Sequence, residues 1–155
     1  MVPPRSSEPG PVSLLAEDAL GPAMRFPSAE WAEAYRRALN ESPAYREAAR
    51  AWVGDILLLV RPGDANAPAP GVRLTLAHGE CSAATYHPDA REVASEFVYE
   101  GSPENWGRLM RREVDPVKAI LDGTFRIKGN LAKAMRFTRA AKELVETAAR
   151  VPSDP

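Results

Sequence analysis

The sequence predicts an α+β domain in which helices cover one face of a five-stranded, largely antiparallel sheet. Three observations support this prediction. Four strand-like segments follow one another in the first half of the chain, short amphipathic helices dominate the second half, and one more alternating segment interrupts those helices. The sequence contains no internal repeat and no heptad pattern, so neither a repeat protein nor a coiled coil is expected.

Two helices are expected before the first strand. Ser28 is a suitable N-cap for a helix that reaches about Asn40, because its hydroxyl can accept a hydrogen bond from a free N–H of the first turn. Ser42 and Pro43 then predict the N-cap and first position of a second helix, which is expected to end near Trp52. The two helices are expected to form a hairpin that braces or covers the domain.

The hydrophobic period changes after these helices and predicts four strands. Residues 53–60 form a nearly continuous apolar run, which is typical of a buried central strand. Residues 71–77 alternate between apolar and polar side chains, as expected of a strand with one solvated face. Further strands are expected at residues 81–86 and 92–99, and four consecutive strands predict an antiparallel meander.

Proline and glycine mark the element ends in the second half of the chain. The pairs Ser102-Pro103 and Asp115-Pro116 each predict a capped helix start, and Gly123 predicts the end of the second of these helices. A last strand is then expected at residues 124–128, and a long helix is expected from residue 131 to about residue 150.

Length and composition bound the class of protein. A chain of 155 residues is typical of one domain, and its 45% hydrophobic and 26% charged residues favour neither disorder nor a membrane protein. The longest apolar run, Ile56 to Val60, is too short to span a bilayer. The single cysteine, Cys81, suits a reducing compartment, and the opening residues lack a signal-peptide pattern, so a cytoplasmic protein is expected.

Three segments and an uneven charge distribution are expected along the chain. Residues 1–22 contain five prolines and predict a flexible arm, residues 23–151 form the domain, and residues 152–155 form a C-terminal tail. Residues 1–100 carry 9 basic and 14 acidic side chains, whereas residues 101–155 carry 11 basic and 7 acidic ones. The basic half is either an ordinary solvated surface or a surface that attracts anionic lipid head groups or acyl-CoA phosphates.

The most informative stretch lies at residues 123–137, where a short alternating strand leads directly into a helix. Phe125 and Ile127 are separated by one basic residue, which is the period of a half-buried strand. Gly129 and Asn130 follow, and asparagine is a favourable helix N-cap. Strand and helix are therefore expected to meet at a tight turn.

This stretch resembles the C-terminal signature of the sterol carrier protein type 2 lipid-transfer family, in which a glycine, an alternating strand, a Gly-Asn or Gly-Asp pair and a helix follow in that order. The segments EFVYEGSPENWGRLM and ILDGTFRIKGN resemble the same family, and the resemblance extends over residues 24–151. The opening at residues 31–52 is similar to stand-alone bacterial members. The resemblance implies an apolar tunnel between sheet and helices that binds sterols, fatty acids, fatty acyl-CoA or phospholipids without a covalent step.

The expected binding site consists of apolar side chains on the strands and on several short helices. Methionine suits such a site because its flexible thioether adapts to varied apolar guests. The alternative interpretation is that these side chains form an ordinary core. The expected lining residues are Phe97, Trp106, Leu109, Met110, Ile120, Leu121, Phe125, Ile127, Leu131 and Met135. The candidates for contact with a polar head group are Lys128, Lys133 and Arg136.

A catalytic or metal site is the weaker interpretation. His78, Glu80, Cys81 and His87 lie close in sequence, but on one extended strand Cys81 and His87 would be about 20 Å apart at ~3.3 Å per residue. No catalytic residue, metal or cofactor is therefore expected. Nucleic-acid binding is not expected either, because the net charge is −1 and no recognition motif is present.

The function expected from these observations is non-catalytic binding, and transfer, of a lipid, with transient membrane contact. The alternative is an interaction module that pairs with itself or assists a lipid-modifying enzyme. A third hypothesis, hydrolysis of a lipid ester, would depend on Cys81 or His78.

Overall fold

The computed structural model describes residues 23–154, which form seven strands and six helices. The predicted N-terminal arm, residues 1–22, lies outside the described residues. The strands are β1 (Met24–Arg25), β2 (Ile56–Val60), β3 (Gly71–Ala77), β4 (Glu80–His87), β5 (Phe97–Gly101), β6 (Arg126–Lys128) and β7 (Ser153–Asp154). The helices are α1 (Ala29–Asn40), α2 (Pro43–Ala48), α3 (Pro103–Met110), α4 (Pro116–Asp122), α5 (Leu131–Met135) and α6 (Thr138–Arg150).

Five strands form one sheet in the order β4-β3-β2-β5-β6, and this confirms the predicted α+β class with a largely antiparallel sheet. Strand β2 pairs antiparallel with β3 and parallel with β5, and β5 pairs antiparallel with β6. The predicted meander is wrong in its last step, because β5 lies beside β2 and not beside β4. The connection from β4 to β5 crosses the face of the sheet that lies opposite the helices.

That crossing also explains why the fourth strand begins at Phe97 and not at residue 92. The N–H of Ala90 donates a hydrogen bond to the Ala69 carbonyl at 2.6 Å. Both alanines pack with Leu57 and Leu59 in a small second core. The loop is therefore anchored to the sheet face, and only its end joins the sheet as a strand.

The structure confirms the predicted helix starts, and each of them is fixed by a local capping interaction. The hydroxyls of Ser28, Ser42 and Ser102 accept hydrogen bonds from N–H groups in the first turns of α1, α2 and α3, at 3.0–3.1 Å. The carboxylate of Asp115 accepts two such bonds in α4, and Gly123 ends that helix with φ +82°. A positive φ at this position favours glycine because it has no Cβ.

Three other predicted boundaries also differ from the structure. Helix α2 ends at Ala48 and not near Trp52, because the following turn brings the Trp52 indole inward, where it donates to the Gly54 carbonyl at 2.9 Å. The first sheet strand starts at Ile56 and not at residue 53. The last strand starts at Arg126 and not at residue 124, because the preceding turn is closed by a hydrogen bond from Thr124 N–H to the Asp122 carboxylate.

The predicted long helix from residue 131 to about residue 150 is two helices, α5 and α6. Phe137 leaves helical geometry, with φ −121° and ψ 39°. This break directs its ring against Trp52, at a centroid distance of 5.1 Å. Tertiary packing therefore overrides the continuous helical pattern of the sequence.

The helices pack against one face of the sheet, and the main core lies between these two layers. The two ends of the described chain also meet, because β1 pairs in parallel with β7. Ser153 and Asp154 thus contact the domain, although the sequence assigned them to a tail. No helix within residues 23–154 is long and apolar enough to cross a membrane.

Candidate functional site

An apolar cavity lies between the helical layer and the sheet. The space open to the centres of water-sized molecules measures about 100 Å³. An apolar cavity of about 150 Å³ binds a molecule the size of benzene, so this smaller cavity has room for a short stretch of hydrocarbon. Empty cavities with apolar walls stay dry and accept apolar guests.

The floor of the cavity is formed by two parallel strands whose registers match. Ile56 of β2 lies opposite Phe97 of β5, and Leu58 lies opposite Tyr99, and all four side chains line the cavity. Successive side chains of a strand point to opposite faces, so the intervening residues of β2 pack in the second core. The continuous apolar run of β2 therefore serves two cores, one on each face.

Aromatic side chains form rigid walls. The Trp106 indole donates a hydrogen bond to the Leu59 carbonyl at 2.9 Å, and its ring meets Tyr99 edge-on at 5.9 Å. Trp52 lies 5.3 Å from Phe97 and 5.1 Å from Phe137 between ring centroids. These contacts hold large side chains in fixed orientations around the free space.

On the opposite wall, several small residues leave space unfilled. Helix α6 places Ala140, Ala141 and Ala148 at the cavity, together with Leu144 and Val145. Alanine does not extend far enough to fill the space between helix and sheet. The cavity therefore results from short side chains on α6 that face large rings on the sheet.

Two hydroxyl groups of the wall are engaged within the protein. The Tyr35 hydroxyl donates to the Leu144 carbonyl at 2.7 Å, and the Tyr99 hydroxyl donates to the Pro116 carbonyl at 3.1 Å. Burial raises the pKa of Tyr35, Tyr45 and Tyr99 well above the ordinary tyrosine value, so these groups stay neutral at physiological pH. The cavity is thus uncharged and suited to hydrocarbon.

The structure brings seven of the ten sequence-predicted lining residues to the cavity. Leu121 and Leu131 do not face it, since they are 72% and 46% exposed. Phe125 is buried outside the cavity, where its ring stacks on Tyr99 at 4.8 Å. The seven that line the cavity are Phe97, Trp106, Leu109, Met110, Ile120, Ile127 and Met135.

Sequence reasoning did not assign Tyr35, Tyr45, Trp52, Ile56 or Leu58 to the site. A signal existed for Ile56 and Leu58, because alternation along a strand buried on both faces sends every second residue toward the helices. No comparable local signal existed for the two tyrosines and Trp52, which reach the cavity through the packing of α1, α2 and the turn after α2.

The three head-group candidates occupy different positions. The Lys133 ammonium donates hydrogen bonds to the Val53 carbonyl and to the Glu96 carboxylate, both at 2.7 Å. Lys128 lies 3.6 Å from the Glu100 carboxylate, and Arg136 is exposed. Lys133 lies beside the cavity wall, since its ammonium is 5.0 Å from the ring centroid of Trp52, which lines the cavity.

His78 lies in the turn of the hairpin formed by β3 and β4, and Glu80, Cys81 and His87 lie on β4. Cys81 is buried, and its thiol donates to the Ala83 carbonyl. Burial raises the pKa of this thiol to about 11, which keeps it protonated and a poor nucleophile. Within the part of the chain that the structure describes, no three or more His, Cys, Asp or Glu side chains are grouped to hold a metal ion.

A sheet with helices on one face and an apolar, uncharged cavity between the layers is the architecture of a small domain that encloses an apolar guest. The sequence matches the model of the SCP-2 sterol transfer family over residues 33–142, and the chain belongs to that family. This match confirms the resemblance and the fold class predicted from the sequence. Lipid binding or transfer is therefore the general function that family membership implies.

Solved structures support the same assignment. A crystal structure of sterol carrier protein 2 is 37% identical, with a TM-score of 0.74 over 80% of this chain and 97% of that chain. A conserved hypothetical protein from Thermus thermophilus is 35% identical, with a TM-score of 0.75 over 86% of this chain and 94% of that chain. The sterol carrier protein domain 2 of Helicoverpa armigera, at 21% identity and a TM-score of 0.51, covers 77% of this chain and 86% of that chain and shows the fold alone. No curated protein matches the sequence.

Proposed function

We propose that this protein binds the apolar chain of one lipid in the cavity and passes the lipid on without a covalent step. The guest is a fatty acid, a fatty acyl-CoA, a phospholipid or a sterol-like molecule. The observation that carries the proposal is the uncharged cavity of about 100 Å³ between β2, β5 and α6. Each methylene transferred from water into such a space contributes ~0.8 kcal/mol, so even a short buried stretch supplies useful affinity.

A longer chain requires the cavity to widen, and two of its walls can adjust. Met110 and Met135 line the cavity, and their unbranched thioethers change conformation at low cost. Helix α5, which carries Met135, contains no buried residue. The guest therefore enlarges the space on the side of α5, while the aromatic walls keep their positions.

The polar head of the guest meets Lys128, Lys133 or Arg136. These residues flank the turn from β6 to α5, on the segment whose inner side chains Ile127 and Met135 line the cavity. A carboxylate or phosphate would find complementary charge there.

Transfer between membranes requires contact with a lipid surface, and we propose that the protein makes this contact transiently. Residues 116–139, here called the basic segment, contain six basic and one acidic side chains. The same segment carries two of the exposed large apolar residues, Leu121 and Leu131. Charge complementarity favours an anionic lipid surface. The exposed basic residues are Lys118, Arg126, Lys128, Arg136 and Arg139.

We further propose that the protein acts in the cytoplasm and without catalysis. The lone cysteine is compatible with a reducing compartment, and its buried, protonated thiol is unsuited to nucleophilic attack.

Native mass spectrometry of gently purified protein tests the proposal. The expected result is a retained adduct with the mass of a lipid, released when the protein is unfolded. The absence of any adduct, together with no binding of added fatty acid, would contradict it. A dimer without an adduct would favour the alternative, a self-pairing or enzyme-assisting interaction module.

A further inference from the structure

Helix α5 is a wall of the cavity that lacks an apolar anchor of its own. It is the one helix among residues 23–154 that contains no buried residue. Ala134 and Met135 line the cavity from this helix, whereas Leu131 is exposed. Apolar burial therefore contributes little to holding α5 in place.

Both ends of α5 are points at which the chain leaves helical geometry. Gly129 precedes its N-cap with φ +130°, a conformation that favours glycine, and Phe137 follows it at the break before α6. A short helix between two such points can move as a unit, because few backbone angles need to change.

One side chain of α5, Lys133, ties the helix to the sheet. Its ammonium donates to the Val53 carbonyl before β2 and to the Glu96 carboxylate before β5, both at 2.7 Å. It also lies 5.0 Å from the ring centroid of Trp52 and 5.7 Å from that of Phe97. Only 26% of the side chain is exposed, so solvent screens these contacts incompletely.

We infer that Lys133 is a latch that holds α5 over the cavity, and that its release sets the rate at which a guest enters and leaves. Release separates the ammonium from Val53 and Glu96 and lets α5 swing about Gly129 and Phe137. This inference rests on the proposed function, since it presumes a guest. It assigns Lys133 a positioning role, which leaves Lys128 and Arg136 of the three candidates for contact with the head group.

The first test compares guest kinetics in Lys133→Met, Glu96→Gln and the wild type, with a fluorescent fatty acid as probe. A latch predicts that both the association and dissociation rate constants rise roughly tenfold, as expected for the loss of a charge-assisted hydrogen bond, while Kd changes little. Lys133→Arg should retain slow exchange. Lys142→Met, on the exposed side of α6, is the matched control and should behave like the wild type.

A weaker affinity with an unchanged association rate would overturn the latch and make Lys133 a contact of the head group. Glu96→Gln keeps the inference testable if Lys133→Met fails to fold.

The second test needs no guest and separates the latch from the proposed function. Hydrogen exchange of the amides in residues 131–137 should rise roughly tenfold in both variants, while exchange in β2 stays slow. If the wild type binds no fatty acid but this exchange rises, the proposed function fails, while the role of Lys133 in holding α5 in place is retained. Unchanged exchange in both variants would overturn the latch.

Discussion

The ring of Phe137 meets the indole of Trp52 edge-on, with centroids 5.1 Å apart and planes inclined at 78°. Phe137 lies at the break between α5 and α6, and Trp52 is held by its hydrogen bond to the Gly54 carbonyl. Both rings line the cavity. Their contact therefore turns the chain so that α5 closes one side of the free space and α6 closes another.

Removal of the Phe137 ring should enlarge the cavity and weaken the domain. We expect Phe137→Ala to lower the free energy of unfolding by roughly 2–3 kcal/mol, somewhat less than the 3–5 kcal/mol typical of a fully buried ring, because Phe137 is only partly buried. Urea unfolding measures this change. Phe137→Leu, which keeps an apolar side chain, should lose less. Equal stability of Phe137→Ala and the wild type would show that the contact does not hold the helix break.

Two side chains of α5, one methionine and one leucine, distinguish the inside of the cavity from its outside. Met135 lines the cavity, whereas Leu131 is exposed. We expect Met135→Glu to weaken fatty-acid binding at least roughly tenfold, because it introduces a carboxylate that lacks a partner among apolar side chains. Leu131→Glu is the matched control and should bind normally in fluorescence titrations. Equal affinities in both variants would remove Met135 from the site.

The basic segment should control attraction to anionic membranes. We expect Arg126→Glu combined with Arg136→Glu to reduce co-sedimentation with vesicles that contain anionic phospholipid, and we expect added salt to reduce wild-type binding in the same way. Arg46→Glu combined with Arg50→Glu, on α2 and its following turn, is the control. Binding to neutral vesicles that matches binding to anionic ones would argue against electrostatic attraction.

The pH dependence of stability should change above the ordinary thiol range. Burial raises the pKa of Cys81 from 9.0 to about 11 in the folded protein. The folded state therefore favours the protonated thiol. The contribution of this preference to the free energy of unfolding is complete below pH 9 and is lost as the pH rises toward about 11. The free energy of unfolding should fall there, with a slope from this group of at most about 1.4 kcal/mol per pH unit.

Denaturant unfolding at several pH values checks the thiol prediction. Cys81→Ala should reduce the slope between pH 9 and about 11, while the buried tyrosines retain their own contribution. An identical slope in the variant would show that the thiol does not titrate differently in the two states.

The elements that sequence predicted well are those set by neighbouring residues. Ser28, Ser42, Ser102 and Asp115 cap helices through bonds to residues two or three positions away, so each helix start is visible in the sequence. The β5 position and the helix break at Phe137 depend on contacts with distant residues. Local patterns contain no information about those contacts, and both predictions failed there.

The candidate site was only partly predictable for a similar reason. An apolar residue in an alternating strand pattern looks the same whether it fills a core or lines a cavity, so Phe125 and Ile127 could not be distinguished. The free space arises because Ala140, Ala141 and Ala148 face the large rings of the sheet. That pairing of small with large side chains exists only after α6 has packed against the other helices above the sheet.

The central claim is that an apolar chain occupies the cavity between the sheet and α6. Nuclear Overhauser contacts between a bound fatty acid and methyl groups of the protein test it most directly. We predict contacts from the acyl chain to the methyl groups of Ile56, Leu58, Ile127 and Met135. Contacts confined to the exposed Leu121 and Leu131, or no contacts from a bound acyl chain to the cavity, would contradict the account.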